Sequence, residues 1–328
     1  MFMKAVVYDE PGDESVLRVA EVASPELESG DLRIRVAAAA VNRADLLQRQ
    51  GLYPPPPGAS PILGLECSGE VIEVGGGVEG WAPGDRAMAL LSGGGYAEEV
   101  AVPAGSALRV PDRLGWEEAA AVPEVFLTVF LNLFQIAGFA EGQAALVHGG
   151  GSGIGTAAIQ LVKAAGGVIA VTAGSDEKCR RCRELGADVA VNYRSGDFVA
   201  EARDLAGGDG VDVVLDSIGA EYLERNLAAL RTGGSLILIG LMGGARAELN
   251  LASLLTRRIQ LIGSTLRARP AEEKAELTAA FSRRFGDALA GGQVHPVVDR
   301  VLPLDRAAEA HRVMKASQHF GKIVLQVS

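Results

Sequence analysis

The sequence predicts an α/β protein with a doubly wound parallel sheet in its second half and a β-rich first part. From about residue 122 onward, short apolar runs alternate with helical runs, which is typical of buried parallel strands joined by helical crossovers. A cluster of glycines directly follows the first of these apolar runs. The 42 glycines of the chain gather in short groups between apolar runs, and this pattern indicates many tight turns between strands and helices.

The first part of the chain has the alternation of half-buried strands. Residues 6–8, 32–36 and 70–74 alternate or are β-branched, with Gly and Pro between them. The loop 53–58 contains four consecutive prolines and is therefore expected to be extended and stiff. Beyond about residue 265 the pattern changes again, to one long helix followed by short strands around 297–301 and 322–325.

The second half supplies the elements of the parallel sheet. The predicted strands are 144–147, 168–171, 189–191, 211–215, 235–239 and 259–262, and the helices are 153–165, 176–185, 221–230 and, later, 271–289. Residues 119–140 are the most apolar stretch, but Pro123, Glu124, Asn132 and Gln135 interrupt it. A membrane span needs about 20 apolar residues, so this stretch predicts a buried helix instead.

The composition of the chain limits its expected domain number, partners and compartment. A chain of 328 residues predicts two domains. The net charge of −10 disfavours nucleic acid and anionic membranes as partners. Three cysteines and the lack of a signal-peptide pattern predict a protein of the reducing cytoplasm. Cys179 and Cys182 have redox-motif spacing, but they lie in a charged helix where such residues simply share a face.

The stretch HGGGSGIG, residues 148–155, predicts a dinucleotide site, although no frame through it reads G-x-G-x-x-G. It follows a strand and begins a helix, which is the context such a motif requires. Helix N-termini offer free N–H groups and a positive dipole end to phosphate. Aligned on the last glycine, the predicted cofactor residues are Gly150, Ser152, Gly153, Ile154 and Gly155. The alternative is a glycine turn without a ligand.

The end of the next strand predicts the type of cofactor. NAD-preferring folds place an acid about 20 residues after the glycines to bind the ribose hydroxyl. No acid stands at the tip of strand 168–171, and Asp176 and Glu177 come only in the following helix. We therefore expect NADPH, with its 2′-phosphate bound by Gly174, Ser175, Lys178 and Tyr193. The alternative for the lysine is a solvated helix residue.

Nearly the whole chain resembles the medium-chain dehydrogenase/reductase superfamily, and in particular its zinc-free NAD(P)H quinone oxidoreductase branch. The serine in the glycine loop and residues 240–244 are similar to the stress-inducible quinone oxidoreductase-like subgroup, which favours NADPH. The stretches that carry the resemblance are 41–51, 61–69, 84–86, 152–161, 192–193, 216–219, 240–244 and 320–324.

The resemblance implies an architecture and an oligomeric state. It implies a GroES-like catalytic domain from residues 1–122 and 266–328, a Rossmann NADPH-binding domain from 123–265, and a homodimer. Zinc-containing relatives carry Cys and His ligands where this chain reads 42–45 and 64–66 without them. The four histidines form no ligand-spaced set with the cysteines, so no metal is expected.

The expected reaction follows from the missing ligands. A zinc ion supports carbonyl reduction by polarising the oxygen, whereas quinones and conjugated enones delocalise the added charge themselves. The sequence therefore predicts hydride transfer from NADPH to a quinone or similar small conjugated acceptor. An enoyl or 2-alkenal reductase with the same hydride step is the alternative. A crystallin-like structural role or RNA binding is more remote, and the net charge of −10 opposes the latter.

The resemblance also implies the residues around the reacting groups. Asn42 and Tyr53 are expected to be catalytic, with the Tyr53 hydroxyl donating to the reduced oxygen. Their alternatives are a turn cap for Asn42 and packing on Pro54 for Tyr53. Further cofactor contacts are expected from Thr128, Gly240, Leu241, Met242, Gly243, Phe320, Gly321 and Lys322. Helix packing is the alternative for Thr128, core packing for Met242 and a surface position for Lys322.

Overall fold

The computed structural model describes residues 1–327. The chain divides into two compact units, the first formed by residues 1–127 with 266–328 and the second by residues 128–265. The first unit is therefore built from two separate stretches of the sequence, and the second is inserted between them.

The strands are numbered along the chain. They are β1 (Phe2–Val7), β2 (Arg18–Ala23), β3 (Asp31–Ala40), β4 (Glu66–Val74), β5 (Arg86–Leu90), β6 (Glu99–Pro103), β7 (Ala107–Arg109), β8 (Ala144–His148), β9 (Val168–Ala173), β10 (Val189–Asn192), β11 (Val211–Asp216), β12 (Leu230–Leu238), β13 (Gln260–Gly263), β14 (Val298–Pro303) and β15 (Lys322–Gln326).

The helices are numbered in the same way. They are α1 (Arg43–Arg49), α2 (Trp116–Ala120), α3 (Pro123–Val129), α4 (Gly153–Ala164), α5 (Asp176–Glu184), α6 (Phe198–Leu205), α7 (Leu223–Ala229), α8 (Leu251–Arg257), α9 (Ala271–Ala290) and α10 (Ala307–Lys315). A π-helix, Phe130–Ile136, continues directly from α3.

The second unit contains a six-stranded sheet in the order β10-β9-β8-β11-β12-β13, and every neighbouring pair is parallel. Numbered within the unit, this order is 3-2-1-4-5-6, the arrangement of a Rossmann fold. Ligands bind such sheets at the carboxyl ends of the strands where the order reverses, here between β8 and β11. The predicted doubly wound sheet is confirmed, and the loops after β8 and β11 lie at its ligand-binding edge.

The first unit contains a largely antiparallel sheet that joins both stretches of its sequence. Its order is β14-β15-β3-β4-β5-β7, with β6 also paired to β3 and a separate hairpin formed by β1 and β2. The pairing of β15 with β3 aligns Val324 with Ala40, and the pairing of β3 with β4 aligns Ala39 with Cys67. The end of β3 and the beginnings of β4 and β15 therefore meet at one place in the sheet.

Two predicted helices differ from those observed. Residues 119–140 form not one helix but α2, α3 and the π-helix, since proline lacks an N–H and favours the start of a new helix, here at Pro123. The predicted helix 221–230 begins as a single 3₁₀ turn, and Leu230 already belongs to β12. Among residues 1–327, the structure contains no helix with the length and apolar character needed to span a membrane.

Candidate active site

The glycine loop between β8 and α4 is held in a tight conformation. The Ser152 hydroxyl accepts a hydrogen bond from the Gly155 amide at 3.1 Å and so caps the first turn of α4. A Cβ atom on Gly155 would lie 2.4 Å from the carbonyl oxygen of Gly149, so only glycine fits there. The Ser152 O–H proton remains available as a donor, because the cap uses only the oxygen.

A buried histidine at the end of β8 stabilises this loop. His148 Nε2 lies 2.6 Å from Asn226 Oδ1, which can only accept, so Nε2 carries the proton and Nδ1 accepts from the Thr172 hydroxyl at 3.0 Å. The Thr172 oxygen in turn accepts from the Gly149 amide, and its carbonyl accepts from the Gly150 amide at 2.7 Å. Burial lowers the pKa of His148 to about 4, which keeps the ring neutral and this chain of bonds intact.

The four residues predicted to bind a 2′-phosphate lie together at the end of β9. Gly174 approaches Tyr193 so closely that a Cβ on the glycine would lie 2.9 Å from the phenolic oxygen. The Ser175 hydroxyl caps α5 by accepting from the Lys178 amide at 3.2 Å. The two acids that oppose an anion here are engaged elsewhere. Asp176 accepts from Asn192, and Glu177 pairs with Arg180.

The loops after β11 and β12 pack against each other at the same edge of the sheet. Asp216 accepts from the amides of Ile218 and Gly219 at 2.7 and 3.0 Å, and the Gly243 amide donates to the Ile218 carbonyl at 2.6 Å. Leu241 and Met242 are 54% and 56% exposed. Core packing as the role of Met242 is therefore wrong, and both side chains are open to a ligand.

The first unit contains a buried polar cluster at the meeting point of β3, β4 and β15. Lys322 Nζ donates to Glu66 Oε1 at 2.7 Å, to Asn42 Oδ1 at 2.7 Å and to the Val41 carbonyl at 2.9 Å. The Asn42 amide also donates to Glu66 Oε1 at 2.9 Å. The surface position suggested for Lys322 is therefore wrong, since Lys322 is only 3% exposed. Asn42 occupies the N-cap position of α1, and its side chain bonds to the cluster. The three acceptors occupy all three N–H groups of Lys322.

Glu124 adjoins this cluster. Its backbone amide donates to Glu66 Oε2 at 2.9 Å, while its own Oε2 is buried and has no hydrogen-bond partner among residues 1–327. Burial, with repulsion from Glu66 as the second cause, raises the pKa of Glu124 to about 8. The carboxyl group is therefore largely protonated at neutral pH.

Tyr53 lies beside a buried arginine, Arg267. The Arg267 guanidinium is 5.5 Å from the centre of the Tyr53 ring, and it also donates to the Tyr53 carbonyl, to the Ser92 carbonyl and to Gln48 Oε1. Burial, followed by the charge of Glu124, raises the pKa of the Tyr53 hydroxyl above its usual 10. Tyr53 can thus donate a hydrogen bond but is a weak source of a full proton at neutral pH.

A chain of side chains fixes the helix that follows Asn42. Arg49 donates to His311 Nδ1, so His311 Nε2 carries the proton toward the Tyr96 oxygen, and the Tyr96 hydroxyl donates to Asp45 Oδ2 at 3.2 Å. Asp45 Oδ2 also accepts from the Asn42 amide at 2.7 Å. Burial raises the pKa of Asp45 to about 6 and lowers that of His311 to about 3.

The structure places the remaining sequence-derived residues as follows. Thr128 is buried, and its carbonyl accepts from Asn132. Phe320 is buried and its amide donates to Asp299, while Gly321 has a positive φ of 94°. As cofactor contacts, Thr128, Phe320, Gly321 and Lys322 remain predictions. Cys179 and Cys182 are buried free thiols whose pKa values are raised by burial, as expected for packing residues.

Sequence reasoning missed several members of both groups. Glu66 entered only as part of a similar stretch, and Glu124 only as an interruption of an apolar run. His148, Asn226 and Arg267 carried no local signal, because His148 and Asn226 bond across 78 residues and Arg267 bonds to Ser92 across 175. The one signal in the sequence that pointed to such residues was the presence of charged residues inside apolar runs.

The loop after β8 fits a dinucleotide. The glycine cradle that a Cβ would fill and the capped N-terminus of α4 offer the close approach and the N–H groups that a pyrophosphate requires. Binding of a 2′-phosphate by Gly174, Ser175, Lys178 and Tyr193 remains a prediction. Among residues 1–327 no group of three or more His, Cys, Asp or Glu side chains could hold a metal ion.

Comparison with known proteins agrees with this geometry. Residues 28–112 match the family of alcohol dehydrogenase GroES-like domains, and residues 153–283 match the zinc-binding dehydrogenase family. Quinone oxidoreductase of Rattus norvegicus is 30% identical over 98% of this chain and 97% of its own length. A component of the phenolphthiocerol/phthiocerol polyketide synthase of Mycobacterium tuberculosis is 32% identical over 97% of this chain, which spans only 14% of that relative.

Solved structures share the whole fold. An NAD-dependent alcohol dehydrogenase superposes with a TM-score of 0.87 at 37% identity and covers 99% of this chain and 100% of its own. Escherichia coli quinone oxidoreductase, solved with NADPH, superposes with a TM-score of 0.88 at 28% identity and with the same coverage.

Fold and site together define an oxidoreductase of the NAD(P)-binding dehydrogenase class, with a Rossmann unit and a GroES-like unit. More narrowly, the chain belongs to the medium-chain dehydrogenase/reductase superfamily, in its quinone oxidoreductase-like branch.

Proposed function

We propose that this protein is an NADPH-dependent quinone oxidoreductase that transfers hydride without a bound zinc ion. The observation that carries the proposal is the contact of Lys322 with Glu66 and Asn42. The ammonium group of Lys322 neutralises the buried Glu66 carboxylate. Leu65 occupies the position at which the resemblance places a histidine ligand in zinc-containing relatives. Such a site favours acceptors that delocalise the added charge themselves, and quinones do so most readily.

NADPH is the proposed cofactor, held by the glycine loop and by the residues at the end of β9. When bound, it supplies the hydride. The phosphate-binding group is supported by the absence of an acid at the tip of β9 and by the engagement of Asp176 with Asn192 and of Glu177 with Arg180. The NADPH-bound Escherichia coli relative supports the same choice.

Reduction of an activated carbon–carbon double bond is the second candidate. The polyketide synthase relative supports it, since polyketide assembly includes enoyl-reducing steps and the chain matches one segment of that protein. The cyclopropanase of curacin A biosynthesis also shares the fold, with a TM-score of 0.86 at 25% identity. A proton-assisted hydride step is common to both candidates.

We also propose a homodimer joined at β13. This strand is the edge of the parallel sheet, and Leu261 on it is partly exposed. Leu251 and Leu255 on the preceding α8 are 69% and 80% exposed, which is unusual for apolar residues of a monomer when they cluster. The three buried free thiols fit a reducing compartment, and we expect the protein in the cytoplasm.

The test is NADPH oxidation by the purified protein across a panel of acceptors, with NADH measured in parallel. The panel contains 1,2- and 1,4-quinones, 2-alkenals and enoyl thioesters. We expect the highest kcat/KM with a quinone and with NADPH. A higher kcat/KM with an alkenal or a thioester would favour the second candidate, and equal rates with NADH would contradict the cofactor assignment. Light scattering at a dimer mass would support the proposed assembly, and a monomer mass would contradict it.

A further inference from the structure

The carboxyl group of Glu124 adjoins the buried cluster, and residues 1–327 provide no ionic partner for it. Lys322 donates one N–H to each of three acceptors, and Glu124 is not one of them. Glu66 and Glu124 therefore share a region in which the Lys322 ammonium group pairs with Glu66 and has no N–H left for Glu124. If both were ionised, a buried negative charge would remain unpaired, which is strongly unfavourable.

The other charged groups that face Glu124 do not provide the missing ionic partner. Lys274 Nζ donates to Ser92 Oγ at 2.6 Å and to the Arg267 carbonyl at 2.7 Å, and Arg267 donates to carbonyl and amide oxygens. Burial, the largest effect, and the charges of Glu66 and Asp45 raise the pKa of Glu124, whereas Lys322 and Lys274 lower it without pairing with it. The balance leaves a neutral carboxylic acid.

A neutral acid carries an O–H group that needs an acceptor. Oε2 of Glu124 is buried, yet residues 1–327 provide no partner for it. Buried polar groups without a partner are rare, and an unmet one next to a functional cluster points to a group that arrives with the ligand. Tyr53, the residue expected to contact the reduced oxygen, is close enough for the charge of Glu124 to raise the pKa of its hydroxyl.

We propose that Glu124 is the proton donor for the acceptor in this site, a step that rests on the function proposed above. After the acceptor has taken a hydride, with its two electrons, from the reduced nicotinamide, one of its oxygens carries the added negative charge. The O–H bond of Glu124 breaks, a new O–H bond forms on that oxygen, and the carboxylate left on Glu124 takes a proton from solvent. Tyr53 donates a hydrogen bond to the same product and keeps its own proton.

The pKa values of Glu124 and Tyr53 support their separate roles as proton donor and hydrogen-bond donor. A proton donor is most effective when its pKa is near the working pH. The pKa of Glu124 is raised to about 8, whereas the pKa of Tyr53 is raised above its usual value of 10. Lys322 pairs with Glu66, and the repulsion from Glu66 helps to keep the proton on Glu124.

The experiment compares Glu124→Gln with Glu117→Gln, a matched change on α2 outside the cluster, and with Tyr53→Phe. Infrared titration should show a protonated carboxyl in the wild type that ionises near pH 8 and is absent only from Glu124→Gln. With a quinone, Glu124→Gln should lower kcat by about 10²- to 10³-fold, leave the Kd for NADPH unchanged and remove the fall of kcat above pH 8. Tyr53→Phe should slow turnover only modestly.

A series of quinones separates proton donation from a merely structural role. Halogenated quinones form weakly basic hydroquinone anions that need no protein acid, so the defect of Glu124→Gln should shrink as the basicity of the product falls. A structural defect would slow all quinones equally. The proposal is overturned if the wild type turns over quinones and Glu124→Gln matches its kcat and pH profile, or if the infrared signal is unchanged in Glu124→Gln. A wild type that reduces no acceptor would instead overturn the proposed function, and the infrared titration would still report where the proton resides.

Discussion

Lys322 Nζ lies 2.7 Å from Glu66 Oε1, and both side chains are almost completely buried. A buried ion pair of this kind adds little stability over an apolar pair, but loss of one partner leaves an uncompensated charge. We therefore expect the largest loss of stability when only one residue of the pair is replaced.

Lys322→Met should destabilise the first unit by about 3–5 kcal/mol, because Glu66 would remain buried and charged. The double change Lys322→Met with Glu66→Gln should recover part of this loss, since the amide carries no charge. Urea unfolding followed by tryptophan fluorescence measures the effect, because both tryptophans, Trp81 and Trp116, lie in the first unit. A double variant as unstable as the single one would contradict the charge argument.

Ser152 has two separable roles, as the cap of α4 and as a donor to the cofactor. Ser152→Ala and Ser152→Gly both remove the hydroxyl, but at a helix N-cap alanine costs about 1 kcal/mol and glycine only a few tenths. If the hydroxyl binds the cofactor, both variants should raise the Kd for NADPH by roughly 5- to 10-fold, the value of one hydrogen bond. Fluorescence titration with NADPH measures this. Normal affinity in Ser152→Gly would reduce Ser152 to a helix cap.

Lys178 should decide between the two nicotinamide cofactors. Lys178→Ala should raise the KM for NADPH by about 10-fold or more, because a charge-assisted hydrogen bond contributes about 1.5–3 kcal/mol, and should leave the KM for NADH unchanged. Lys163→Ala, which removes a lysine of the same unit that pairs with Asp188, serves as the control. Equal changes in both KM values would show that the 2′-phosphate lies elsewhere.

The neutral state of His148 predicts sensitivity to acid. Its pKa is lowered to about 4, so between pH 6.5 and 4 the unfolded chain binds a proton that the folded protein does not. The free energy of unfolding should therefore fall over this range as pH is lowered, by about 3 kcal/mol for this group. His148→Gln should be less stable at pH 7 but show a shallower fall. Thermal unfolding across this pH range tests it, and parallel curves for the two proteins would contradict it.

The sequence was most informative where structure depends on local pattern. The strands of the parallel sheet, the capped helix after the glycines and the unusual Ser152 follow from periodicity and turn chemistry over a few residues. The helix break at Pro123 could also have been inferred, because proline restricts its own backbone and that of the residue before it.

The site in the first unit could not be predicted in the same way. Lys322 contacts Asn42 across a separation of 280 residues, and Arg267 contacts Gln48 across 219. No local pattern encodes such pairs, since they depend on the order of strands in the sheet. From the sequence alone a surface position for Lys322 is a reasonable expectation, because an isolated lysine usually lies there. Its burial follows only from the pairing of β15 with β3.

The division of the first unit between two stretches of sequence has a consequence for protein synthesis. Glu66 emerges from the ribosome long before its counter-ion, because Lys322 follows it by 256 residues. At ordinary elongation rates this interval is roughly 10 to 50 seconds. During that time the early strands hold a carboxylate that they cannot yet bury without loss of stability. The inserted parallel sheet is thus free to fold first, and completion of the outer unit waits for the arrival of a single ammonium group.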